Sequence, residues 1–170
     1  MSLAILAALA AAATPSDIIP LPLQPVVPAA QRTCPARTAT GLGVKPLRPG
    51  SGASPVADDV VLINYIGYLA STGQVFDQGM QQPLAVSEVI PGFTQGLLTL
   101  KRGAISRFCI PAALGYKDQA AGPIPANSDL VFQVELVEFK TRAEIEAMRA
   151  AAAEQGAQQA APAPATPAKP

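Results

Sequence analysis

DLVFQVELVEFK, residues 129–140, is the stretch whose pattern decides the fold. Leu130, Phe132, Val134 and Leu136 alternate with Val131, Gln133, Glu135 and Val137. That period of two is the signature of a strand with one face on a core. Working outward, VVLINYIGYL from Val60 and AISRFCI from Ala104 predict two further strands, bounded by turn residues such as Gly73 and Gly103. Between them one short helix is expected, from about Phe93 to Leu100, because Phe93, Leu97 and Leu100 fall at i, i+4 and i+7 on one side. Strands of this kind with a single amphipathic helix predict an α+β fold, an antiparallel β-sheet wrapped around one short α-helix.

The ends of the chain read differently. MSLAILAALAAAATP opens with an apolar run from Leu3 to Ala13 and small residues near Ala13 that suit a signal-peptidase cut. The run is too short to cross a bilayer, so no membrane span is expected. Residues 1–13 are therefore expected to be a signal peptide, although no Lys or Arg precedes Arg32. An exported chain, periplasmic or secreted, follows, with a cytoplasmic one as the alternative. Over residues 14–37 prolines recur too often for helix or ladder, which predicts an extended linker. Residues 38–140 form the globular domain. Thr141, three residues before Glu144, has the spacing of a capping box and predicts a C-terminal helix over 141–155. The Ala/Pro-rich remainder, 156–170, is expected to be disordered.

Composition narrows the chemistry. Across 170 residues, 12 basic side chains balance 12 acidic ones, so no net field draws in nucleic acid. The chain has no histidine and two cysteines, too few ligands for a structural zinc site. Neither a metal nor a cofactor is expected. What remains is chemistry done by carboxylates, hydroxyls and apolar surfaces.

Four blocks then become recognisable: GYLASTGQVFDQG, VIPGFTQGL, RFCIPAALGY and GPIPANSDLVFQVEL. In order and spacing, from about Thr38 to Lys140, they resemble the FKBP-type peptidyl-prolyl cis/trans isomerases, enzymes that rotate the peptide bond before proline. The amide's resonance opposes that rotation with a barrier near 20 kcal/mol, and lowering it requires no covalent step. An apolar pocket that disfavours the planar dipolar form, with a few donors for the twisted one, suffices.

The resemblance implies a proline pocket walled by Tyr65, Phe76, Leu84, Val89, Ile90 and Ile124, with Pro123 at the far lip and Phe93 as the floor. Asp77, Tyr116 and Phe132 would be the catalytic positions, the Tyr116 hydroxyl and the Ile90 amide bonding substrate carbonyls. From pattern alone Phe132 and Phe93 are core residues, and Asp77 beside Gln78 and Gly79 is a turn residue. Several positions depart from the family. Phe93 stands where tryptophan is common, and Leu84 where an aromatic is. The loop after Asp77 lacks the arginine that pairs with it in well-studied members, and Lys117 replaces the glycine that commonly follows the loop tyrosine. The implied partners are proline-containing polypeptides and macrolides of the tacrolimus and rapamycin type, bound to a monomer. The alternatives are a non-catalytic, chaperone-like module for proline segments and a structural domain on Pro-rich arms.

The cysteines have two readings. In AISRFCI, Phe108 and Ile110 take the core face, so Cys109 shares the other face with Arg107 and Ile105 and is expected to look outward. Cys34 and Cys109 then form one disulfide that ties the linker to the sheet, or remain two free thiols.

Overall fold

The computed structural model describes Ile19 and residues 26–159, with side chains through Gly156 at the C-terminal end. The expected signal peptide and the Ala/Pro-rich segment from residue 160 lie outside the described residues. Six strands form one antiparallel sheet: β1 (Ala36–Arg37), β2 (Gly43–Arg48), β3 (Val60–Leu69), β4 (Val75–Ala85), β5 (Ile105–Ile110) and β6 (Leu130–Lys140). Their order across the sheet is β1-β2-β5-β6-β3-β4.

On the front face Leu130, Phe132, Val134 and Leu136 pack with Val61, Ile63, Phe108 and Ile110. They are covered by α1 (Pro91–Leu97) and the turn after it, through Phe93, Leu97 and Leu100. The helix starts two residues before the periodic pattern does, with Pro91 in its first turn, where a missing amide donor costs nothing. At the far end of β6 the register with β3 slips, Leu62 facing Glu138 while Ile63 faces Leu136. Val137 is the extra residue, and the bulge turns Phe139 rather than Glu138 onto the core. Strands β2 and β4 are absent from the sequence reading because each contains a proline, Pro46 or Pro83. Pro83 is tolerated on an edge strand, where a missing donor breaks no outer ladder bond, and Pro46 adjoins a register shift.

The back face corrects the linker reading. Ile66, Tyr68 and Val131 would leave a large apolar patch in water there. Instead Ile19 and Val27 pack on them as a second apolar cluster. The strap is held at several points. The Val27 amide donates to the Gly73 carbonyl at 2.7 Å. The Arg32 guanidinium donates to the Val27 carbonyl at 2.8 Å and the Ser71 carbonyl at 2.7 Å. The buried Gln133 amide both accepts from the Ile19 amide and donates to the Ile19 carbonyl, each at 2.9 Å. Tyr68 donates its hydroxyl to the Gln31 carbonyl at 2.7 Å. Burial pushes that phenol up to about 12, against the opposing charge of Arg107. It therefore stays a donor throughout the neutral range.

Cys34 and Cys109 are joined by a disulfide, with α-carbons 6.0 Å apart. Cys109 does lie on the face away from the main core, but that face is not open to water. The strap covers it, leaving Cys109 partly buried and its neighbour Arg107 fully buried. Gly43 stands opposite Cys109 in the ladder, and a β-carbon there would lie 2.8 Å from that of Cys34 and 2.9 Å from that of Cys109. Only glycine leaves room for the crossing bridge.

The C-terminal helix α2 (Arg142–Gln159) is capped reciprocally. The Glu144 carboxylate accepts from the Thr141 amide at 2.7 Å, and the Thr141 hydroxyl accepts from the Glu144 amide at 3.2 Å. It continues through Gly156, beyond the end expected at residue 155.

The bridge closes a sequence separation of 75 residues, so loop-closure entropy predicts a contribution of about 4 kcal/mol to stability. Chemical denaturation of the parent and of the double variant Cys34→Ser/Cys109→Ser measures it. A difference below about 1 kcal/mol would show that the strap holds without the bond.

Candidate active site

Each of the site residues implied by the motifs comes to one place. Tyr65, Phe76, Asp77, Leu84, Val89, Ile90, Phe93, Tyr116, Ile124 and Phe132 all line an open concavity of about 480 Å³, between the front of the sheet and the start of α1. The same lining includes Pro123, the expected lip, together with Glu88 and Ala121, which the sequence reading missed. Ala121 arrives through a tight turn: its amide donates to the Ile124 carbonyl at 2.9 Å and the Ile124 amide donates back at 3.0 Å, with Gly122 between them at φ +55°. Glu88 ends the 3-10 turn Val86–Glu88 and carries no apolar periodicity that could have flagged it.

The aromatic wall is built from rings on β3, β4, β6 and α1 that meet edge to face. The Phe93 ring lies 4.9 Å from that of Phe132 and 6.5 Å from that of Tyr65, and Phe76 lies 5.5 Å from Phe132, all near perpendicular. Such pairs favour the contact of positive ring edge with negative face. Behind them Phe108 meets Phe93 at 6.2 Å. The contact of Phe76 with Phe132 depends on Gly67, which faces Phe132 across the ladder. A β-carbon at Gly67 would come within 2.6 Å of Phe132 and 2.7 Å of Phe76. Phe132 is thus a core residue and a pocket residue at once.

Asp77 lacks the arginine expected from the family and has a different partner. The Tyr65 hydroxyl donates to Asp77 Oδ2 at 2.7 Å. Burial, then the hydrogen bond to Asp77 and that carboxylate's charge, hold the Tyr65 phenol protonated far above the usual tyrosine range. The phenol is therefore the donor and the Asp77 carboxylate the acceptor at the pocket wall. Two other groups are ready to donate. Tyr116 is well exposed, and neither its hydroxyl nor the Ile90 amide has a hydrogen-bond partner among the described residues. Lys117, where the family favours glycine, adopts φ +56°. That left-handed geometry carries some steric cost for a residue other than glycine. The Asn127 amide donating to the Lys117 carbonyl at 2.7 Å helps to hold that turn.

The family model described as FKBP-type peptidyl-prolyl cis-trans isomerase matches residues 52–137, about half of the chain. The probable FKBP-type peptidyl-prolyl cis-trans isomerase FkpA of Neisseria meningitidis is 42% identical over 107 residues, covering 60% of this chain and 39% of that protein. FkpA of Escherichia coli K12 is 38% identical over 107 residues, covering 61% of this chain and 39% of its own length. The chain thus spans about two fifths of the length of these curated relatives. Among solved structures, E. coli FkpA matches with a TM-score of 0.60 at 36% identity, over 62% of this chain and 51% of that one. A peptidyl-prolyl cis-trans isomerase from Pseudomonas syringae pv. tomato matches with a TM-score of 0.60 at 33% identity, over 66% of this chain and 87% of that one.

The raised Tyr65 pKa sets a pH dependence. The unfolded chain ionises its tyrosines near pH 10 while folded Tyr65 stays protonated, so its contribution is intact below about pH 10 and is lost as pH rises further. Tyr65→Phe is predicted to make the fall in stability above about pH 10 shallower, while costing about 1 kcal/mol at neutral pH for the lost hydrogen bond. Urea midpoints for parent and variant at about pH 8 and about pH 11 check both signs.

Proposed function

We propose that this chain, which belongs to the FKBP-type peptidyl-prolyl cis-trans isomerase family, accelerates X-Pro bond rotation in unfolded or partly folded polypeptides. One observation carries the reading: an aromatic-walled pocket in a member of this family brings together a carboxylate and two unengaged donors. The proline ring would enter against Phe93 and Phe132, with Tyr65, Phe76 and Val89 around it. Removing water from the amide disfavours its planar, dipolar form relative to the twisted one, in which nitrogen and carbonyl are decoupled. The Ile90 amide and the Tyr116 hydroxyl would hold the carbonyls that flank the turning bond. Asp77, oriented by Tyr65, would lie beside the rotating carbonyl, its field opposing the negative oxygen of the planar state more than that of the twisted state. Catalysis of this kind needs no proton transfer.

Tacrolimus- and rapamycin-type macrolides are proposed as ligands of the same pocket, held less tightly because Leu84 and Phe93 offer smaller surfaces than the aromatics common there. We further propose an exported, periplasmic or secreted setting and a monomeric state. Export is supported by the Cys34–Cys109 bond, since disulfides persist in oxidising compartments, and by the apolar run from Leu3 to Ala13. Among the described residues no helix is long and apolar enough to cross a membrane.

The decisive measurement is NMR exchange on a short X-Pro peptide. Asp77→Leu is predicted to lower kcat/KM at least about tenfold, equivalent to about 1.4 kcal/mol of transition-state stabilisation, with an unchanged circular dichroism spectrum. Phe132→Ala should do the same, but as a core truncation it also costs about 3–5 kcal/mol of stability. Peptide binding without acceleration by the parent would leave a non-catalytic proline-binding module instead. For the macrolides, isothermal titration is expected to give competitive binding; no heat and no inhibition at saturating ligand would exclude it.

A further inference from the structure

Glu88 is the pocket residue for which the isomerase chemistry above has no use. It lines the concavity beside Val89 and Ile90, is exposed, and has no hydrogen bond or ion pair among the described residues. Three other surface carboxylates are ion-paired: Glu135 with Arg48, Glu138 with Arg102, and Glu146 with Arg142. Among the described residues the pocket lining holds a second carboxylate, Asp77, and neither lysine nor arginine. Asp77 is bonded to a neutral phenol, so its charge is oriented but not cancelled.

Nearby cations do not reverse that sign. Lys117, next to Tyr116, is followed at once by Asp118. On the far side of Glu88 a separate groove is lined by Arg142, Arg149, Asp58 and Glu146 as well as Glu88. Arg142 is paired with Glu146 there at 3.6 Å, which leaves Arg149 against two carboxylates. The chain as a whole is neutral, so the negative character belongs to this site and is not a reflection of net charge.

We propose that Glu88 is a specificity-determining residue, reinforced by Asp77, that makes the pocket favour polypeptides with lysine or arginine directly beside the proline. This rests on the isomerase reading and names its substrate class. A basic side chain next to the ring would lie over an anionic rim whose described pocket lining holds no lysine or arginine to compete for it. An acidic one would meet like charge, which partners at close quarters select against.

The test compares matched peptides with lysine, glutamate or glutamine immediately before the proline, and a second set with the change immediately after it. NMR exchange gives kcat/KM for each, normalised to that peptide's uncatalysed rate. Lysine is expected to exceed glutamate by about threefold to fivefold in at least one set, the scale of one solvent-screened ion pair. The preference should fade between ionic strengths of about 0.01 M and 1 M, as the screening length shrinks from about 30 Å to 3 Å. In Glu88→Gln the ratio should approach one, and in Glu88→Lys it should invert. Equal rates for lysine and glutamate peptides in the parent would overturn the proposal, as would a preference that survives unchanged in Glu88→Gln. Acceleration of none of the peptides would remove the isomerase reading itself, an outcome readily told apart from acceleration without preference.

Discussion

The bare α-carbon of Gly67 is the constraint on which the pocket depends. It sits near the C-terminal end of β3, a strand hydrogen-bonded on both sides, with Phe132 opposite it in β6 and Asp77 opposite it in β4. Because no side chain rises there, Phe76 and Phe132 close over the strand and meet edge to face. Their rings then offer Phe93 a wall to pack on, and α1 is drawn onto the sheet with its first turn facing the cavity. Any larger residue at Gly67 would force these rings apart, and a close-packed interior has little slack to absorb the shift.

A second requirement follows from the same sheet. Strands that supply a hydrophobic front face also present Ile66, Tyr68 and Val131 on the back, and that surface must be covered. The chain does so with its own N-terminal strap, fixed by backbone hydrogen bonds, by Gln133 and by the disulfide. The front of the sheet therefore carries the candidate chemistry and the back carries a cross-link. The strap and bridge lie behind β6, which supplies Phe132 to the pocket, a division of labour expected where a site must hold its shape before substrate arrives.

The pocket's polar equipment is modest and consistent with a rotation that breaks no covalent bond. Tyr65 stays protonated and Asp77 stays aimed, each through the other, where the resemblance to the best-studied eukaryotic members implied an arginine. Replacing a cation by a phenol preserves the carboxylate's orientation but not its neutralisation. The site is consequently more anionic than one closed by an ion pair.

The sequence alone determined what depends on local pattern. The alternation of Leu130 to Leu136, the apolar run of β3 and the i, i+4, i+7 series of Phe93, Leu97 and Leu100 each follow from the chain's own periodicity, and all of them reappear in the core. The family resemblance carried by the motif blocks also pointed to residues that line one concavity. Whatever depends on partners distant in the chain was not legible. The prolines of β2 and β4 obscured strands that only ladder pairing establishes. The proline-rich stretch before Thr38 read as a linker because nothing local reveals that Val27 will find the back of the sheet. Tyr65 as the partner of Asp77, Glu88 on the pocket rim and the bridge between Cys34 and Cys109 were likewise decided by the tertiary structure. Hydrogen bonds, charges and disulfides act through space over a few ångströms, and only the folded chain sets those distances.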